Sequence, residues 1–116
     1  MKTSELTGAA LDWAVATCSY DAYDGLAAKI IQHPAYARYY PKISPSTDWR
    51  LGGPIIERER ISIRPDVASE MFRAFVIRPP DGLSYRYIGP TPLIAAMRCY
   101  VATKLGDEVE IPQELK

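Results

Sequence analysis

Leu6, Ala10, Trp13 and Thr17 repeat at helical spacing, and Leu11, Ala14, Val15 and Cys18 widen the apolar arc. So broad a stripe predicts an N-terminal helix buried on more than one side, capped by Thr3 or Ser4, with Trp13 as a core anchor. A polar turn over 20–25 leads to Leu26, Ile30 and Ile31, which predict a short second helix over 26–33 stopped by Pro34. From 34 to 45 no period survives among three prolines and Tyr36, Tyr39 and Tyr40, so this part reads as a loop or broken helix. Beyond Gly53 the period becomes two: Ile55, Glu57, Glu59, Ile61 and Ile63 alternate with Ile56, Arg58, Arg60, Ser62 and Arg64. That alternation predicts a strand from 55 to 64 with three arginines on one face. MFRAFVIR over 71–78 and the segment 83–88 predict two more strands, joined as a hairpin through Asp81-Gly82.

The final helix carries the clearest signals. Thr91 is suited to the N-cap, Pro92 to the first helical position and Gly106 to the stop. Ile94, Met97, Val101 and Leu105 form the inward stripe, with Leu93 and Tyr100 at its margins and Arg98 and Lys104 outside. DEVEIP then predicts an extended tail that lays Val109 and Ile111 against the body. The whole reads as an α+β fold: an N-terminal helix plus a short second helix, a three-stranded antiparallel sheet and a C-terminal helix.

With 116 residues, 47% of them hydrophobic and 24% charged, the chain has the balance of one globular domain over 1–116. Within it, 20–43 is a tyrosine- and proline-rich insert and 107–116 an acidic tail. No apolar run is long enough to cross a bilayer and no signal-peptide pattern opens the chain, so no membrane partner and a cytosolic location are expected. Cys18 and Cys99 lie in apolar helical segments without CxxC spacing, which predicts buried reduced thiols and no metal site.

The net charge of zero hides an uneven distribution. Residues 38–104 carry eleven Lys/Arg against six acids, and both flanks are acidic. All nine arginines fall in that middle region, which suits a phosphate or carboxylate partner, or a surface where arginines pair with neighbouring acids.

The stretch STDWRLGGPIIERE (46–59) concentrates the candidate site. Trp49 offers a flat face for a base; Gly52, Gly53 and Pro54 let backbone approach a ligand; Arg50, Arg58 or Arg60 can hold phosphates; Asp48 or Glu57 can accept from a ribose hydroxyl or base amine. Thr91, at the start of the last helix, adds an anion-favouring N-terminus. The same residues also fit a structural account, with Trp49 a core plug, Gly52-Gly53-Pro54 a turn, Asp48 a local cap and Glu57 paired with an arginine. Tyr20, Tyr23, Tyr36, Tyr39 and Tyr40 form either a stacking or subunit-contact surface or the cover of an irregular segment. The lone His33 has no evident partner, and no nucleophile–base pair, phosphate loop or dinucleotide fingerprint is present, so no enzyme and no cofactor are expected.

The blocks TSELTGAALDWAVA, STDWRLGGPIIERE and GPTPLIAAMRCYVATKLGDEVEIP, in that order and over about half of the chain, resemble the NinX family of tailed bacteriophages. The resemblance implies a small accessory protein made by a phage in the host bacterial cytoplasm. Together with the residues above, it leads to a homo-oligomeric, non-enzymatic protein that sequesters a small anionic, nucleotide-like molecule. Phage proteins that capture cyclic nucleotides or ADP-ribose derivatives as anti-defence sponges are the analogy. The alternative is a nucleic-acid- or protein-binding factor in phage replication or recombination, which the arginines favour and the zero net charge disfavours.

Overall fold

The computed structural model describes residues 1–18, 44–78 and 83–115. The expected second helix, the tyrosine-rich insert and the turn at 79–82 lie outside them. Three helices and one sheet form the described fold: α1 (Gly8–Cys18), α2 (Trp49–Glu59), β1 (Ser62–Pro65), β2 (Phe72–Arg78), β3 (Leu83–Gly89) and α3 (Pro92–Leu105). No described helix is long and apolar enough to cross a membrane.

The sheet is antiparallel in the order β1-β2-β3. Its inward rows, Ile63 on β1, Phe72, Ala74 and Val76 on β2, and Tyr85 and Tyr87 on β3, pack against the core. Over them lies α3, which contacts all three strands, while α1 and α2 pack on its far side. For this reason Leu93, Ala95, Ala96, Met97, Cys99, Tyr100, Val101 and Ala102 are all buried. The expected single inward stripe is therefore corrected: Leu93 and Tyr100 are interior, and Leu105 is exposed. The helix ends are as the sequence predicts, with the Thr91 hydroxyl accepting from the Ile94 N–H at 3.1 Å and Gly106 at φ 88 donating to the Ala102 carbonyl.

Arg98 is also not an outward side chain. Its Nε donates to the Leu6 carbonyl at 2.7 Å and its Nη1 to the Ile88 carbonyl at 2.8 Å. It thus ties α3 to the segment before α1 and to the end of β3, and burial pushes its guanidinium pKa down. Thr3 caps nothing. It is buried in a short 3-10 turn (Thr3–Glu5), where its hydroxyl donates to the Gly106 carbonyl, and α1 begins only at Gly8. The tail runs back beside this segment through Thr3 N–H to Asp107 and Val109 N–H to Met1, which buries Val109 and Ile111. Cys99 is buried and Cys18 half-buried, and both are free thiols.

The largest departure is the strand predicted from 55 to 64. Residues 49–59 are helical, and only Ser62–Pro65 pairs with β2. The apparent period of two arose because a helix end abuts a strand at Arg60. There the chain turns through a left-handed residue at φ 55, ψ 46. The Arg60 N–H returns to the Glu57 carbonyl and the Ile61 N–H to the Ile56 carbonyl, the paired bonds of a Schellman stop. Ile55, buried against α3, is the helical position that the alternation disguised.

Gly52 sets how closely α2 can lie on α3. A Cβ there would sit 2.5 Å from Leu93 Cδ2 and 2.5 Å from the Pro45 carbonyl oxygen. Gly53 faces open space but precedes Pro54 within the helix, where a side chain would crowd the proline ring. Gly52→Ala is expected to lower stability by about 1–3 kcal/mol in urea denaturation, since neither backbone carbonyl nor buried leucine can yield without repacking. Arg60→Gly is expected to raise it by about 1 kcal/mol, because glycine adopts the left-handed stop without the Cβ penalty.

Candidate functional site

The residues of the 46–59 stretch divide into two groups once α2 is formed. Asp48 is the N-cap: its carboxylate accepts from the Arg50 N–H at 2.9 Å and from the Arg50 guanidinium at 3.2 and 3.0 Å. The side-chain bonds from Arg50, followed by the backbone bond, hold the Asp48 carboxyl below its ordinary range. Trp49 stands in the first turn and is 56% exposed, so it is not a core plug. Arg50 beside it is exposed too, which leaves an indole and a guanidinium together at this corner.

The remaining positions face elsewhere. Gly52 is consumed by packing, Pro54 and Glu57 are exposed, and Arg60 occupies the helix stop. Arg58 turns toward α3. It donates to the Tyr100 hydroxyl at 3.2 Å and to Glu59 at 3.1 Å, with its guanidinium 5.8 Å from the Tyr100 ring centroid. Lys104 joins this cluster through Glu59 at 3.6 Å. Nearby, burial is the main cause that pushes the Cys18 thiol up to about 12, with Lys104 opposing it. Thr91 is committed to capping α3. Upstream, the Ser46 N–H donates to Asp12, a buried carboxylate on α1 that fixes the approach to α2 and that no sequence pattern singled out.

A second surface is only partly visible in the sequence. With α3 covering the inward rows, the outward rows of the sheet meet no described element. The register sets Arg64, Arg73 and Ile88 in one row across the three strands and Ser62, Phe75 and Arg86 in the next. Phe75 is thus central, with the Arg64 guanidinium 5.9 Å from its ring centroid. Arg73 is held at 2.9 Å by Asp66, whose carboxyl is kept below its ordinary range by hydrogen bonds from Ser69 and then Arg73. Ile77 is 63% exposed and Ile88 41%. Arg64, Arg73, Phe75, Arg86 and Ile88, together with Ala74 and Tyr87, line a half-open depression of about 210 Å³.

Chemically, the described residues of this face bring together the Phe75 ring and three guanidinium groups, of which Arg73 is paired with Asp66. Guanidinium groups match phosphate oxygens with paired donors, and an aromatic or guanidinium plane is a stacking surface for a base. Of the arginine face predicted from Arg58, Arg60 and Arg64, only Arg64 belongs to it. Arg73 and Arg86 replace the other two, since strand pairing across three segments brings them together. The alternation of MFRAFVIR held part of the signal, because it places Arg73 and Phe75 on the side opposite Ala74 and Val76.

The family model described as Bacteriophage P22, NinX, matches residues 2–104. No curated protein matches the chain significantly. The match spans every described helix from α1 onward except the last residue of α3, and all three strands, and so takes in both surfaces. The chain belongs to the NinX family of phage proteins.

Proposed function

We propose that this phage-family protein works by binding rather than by catalysis, and that it captures a nucleotide-type ligand, an aromatic base carrying phosphate, on the open face of its sheet. The observation that supports this most is the placement of Phe75 among Arg64, Arg73 and Arg86 on rows that no described element covers. A base stacks on Phe75 or on the Arg64 plane, and the guanidinium groups take the phosphate. A cyclic-nucleotide or ADP-ribose-type defence signal and a nucleic-acid strand share this chemistry. In a phage protein, either fits an accessory role in the host cytoplasm.

The exposed Trp49 and Arg50 at the start of α2 supply a second reading of the same ligand class, with the indole as the stacking plane. The two are separable by mutation. Thermal unfolding at constant salt with a panel of mono-, di- and cyclic nucleotides and a short single-stranded oligonucleotide is expected to raise Tm for at least one ligand. The rise is roughly 10 °C at a hundredfold excess over Kd. Phe75→Ala and Arg64→Ala are expected to lose the shift, and Trp49→Ala to keep it with an unchanged starting Tm. Loss in Trp49→Ala with retention in Phe75→Ala would move the site to α2. No shift with any of these ligands would discard the reading.

A further inference from the structure

Building on a nucleotide-type ligand at this face, we propose that the ligand is a single-stranded nucleic acid, laid across the three strands over more than one nucleotide. Three features of the face carry this.

First, the site is one-sided. Pockets that retain a small molecule are commonly ~300–1,000 Å³ and bury most of it. The depression here is about 210 Å³ and opens outward over the sheet. A free mononucleotide would leave most of its surface in water, whereas a strand gains by adding contacts nucleotide by nucleotide along a surface.

Second, the cationic groups are spread out. Arg64 and Arg86 lie two strands and two residues apart in the register. With strands ~4.8 Å apart and ~3.4 Å per residue, their Cα atoms are separated by ~12 Å. Arg73 lies between them, and its Asp66 partner fixes its direction. Positive charge distributed in this way follows a backbone of successive phosphates better than it converges on one.

Third, the apolar side chains extend along the face on both sides of the ring. Phe75 is the centre, Ile77 lies farther along β2, and Ile88 lies on the neighbouring strand toward the other end. Both isoleucines are substantially exposed without any described partner on that side. Unstacked bases present apolar planes to such a row, while a duplex hides its bases and offers only its grooves. A sheet whose outward aromatic stacks bases between arginines is a general solution for single strands.

The test is fluorescence anisotropy of the full-length protein with labelled oligothymidylates of 3, 6 and 12 nucleotides, the matching 12-base-pair duplex, and thymidine monophosphate as competitor. Affinity is expected to rise at least tenfold from 3 to 12 nucleotides and to exceed that for the duplex. The slope of log K against log[salt] is expected near −1.5 to −2, as for about two to three phosphate contacts on a single strand. Arg64→Ala and Arg86→Ala each reduce that slope by about 0.7. Phe75→Leu, which keeps an apolar side chain and so guards against misfolding, weakens binding about tenfold and leaves the slope unchanged.

If mononucleotides bind in a Phe75-dependent way and length adds nothing, the strand proposal is overturned and the ligand reading stands. If neither binds, both fall. Preference for duplex overturns the strand proposal, as does a Phe75-dependent dimer in sedimentation with no oligonucleotide affinity, which would make the face a contact between copies.

Discussion

The described fold is arranged around one helix that is buried over most of its length. α3 covers the inward rows of the sheet and is itself covered by α1 and α2. Burial of this kind requires short distances between backbones, and the chain provides them with small residues. Ala95, Ala96 and Ala102 lie at the helix surface, Gly89 lies where a Cβ would meet the Ala95 backbone at 2.6 Å, and Gly52 lies where α2 comes closest. Interiors are packed to near-crystalline density, so a methyl group added at either glycine has nowhere to go. The same arrangement exhausts the chain's described apolar helical surface on one side of the sheet. The other side is left to Phe75, the isoleucines and the arginines.

Seen from α3, the STDWRLGGPIIERE stretch is first a packing element. Its Ile55 and Gly52 fix α2 in place, while Arg58 and Glu59 join Tyr100 and Lys104 in a polar cluster at the helix junction. A buried phenol needs a hydrogen-bond partner, and Arg58 supplies one while its stem and plane cover the ring. What remains available to solvent is the first turn, with Trp49 and Arg50.

The arginines sort by what surrounds them rather than by where they fall along the chain. Arg98 serves two backbone carbonyls, Arg58 a tyrosine and a glutamate, and Arg60 a turn. Among the described arginine side chains, Arg64, Arg73 and Arg86 share the outward rows of the sheet. The basic middle of the sequence is therefore not one electropositive surface. Three of its nine arginines, Arg58, Arg60 and Arg98, hold the fold together, and the three on the sheet carry the charge proposed to meet a ligand.

Features that depend on neighbours along the chain could be read from the amino acids alone. The α+β class, the 72–89 hairpin strands, the Thr91-Pro92 start and Gly106 stop of α3, and the docking of Val109 and Ile111 follow from caps, turns and periodicity within a few residues. The family, too, was legible, since it rests on blocks of contiguous residues. The remainder depends on contacts between segments distant along the chain. A left-handed residue at Arg60 splices helix to strand, so IIERERISIR alternates without being one strand. Whether Arg98 points out or in depends on carbonyls 92 and 10 residues away. The face built by Arg64, Arg73, Phe75 and Arg86 exists only because three strands pair in a particular register and α3 covers their other side. Local rules fix which residues alternate; which face of the alternation α3 covers is set by how the described elements pack together.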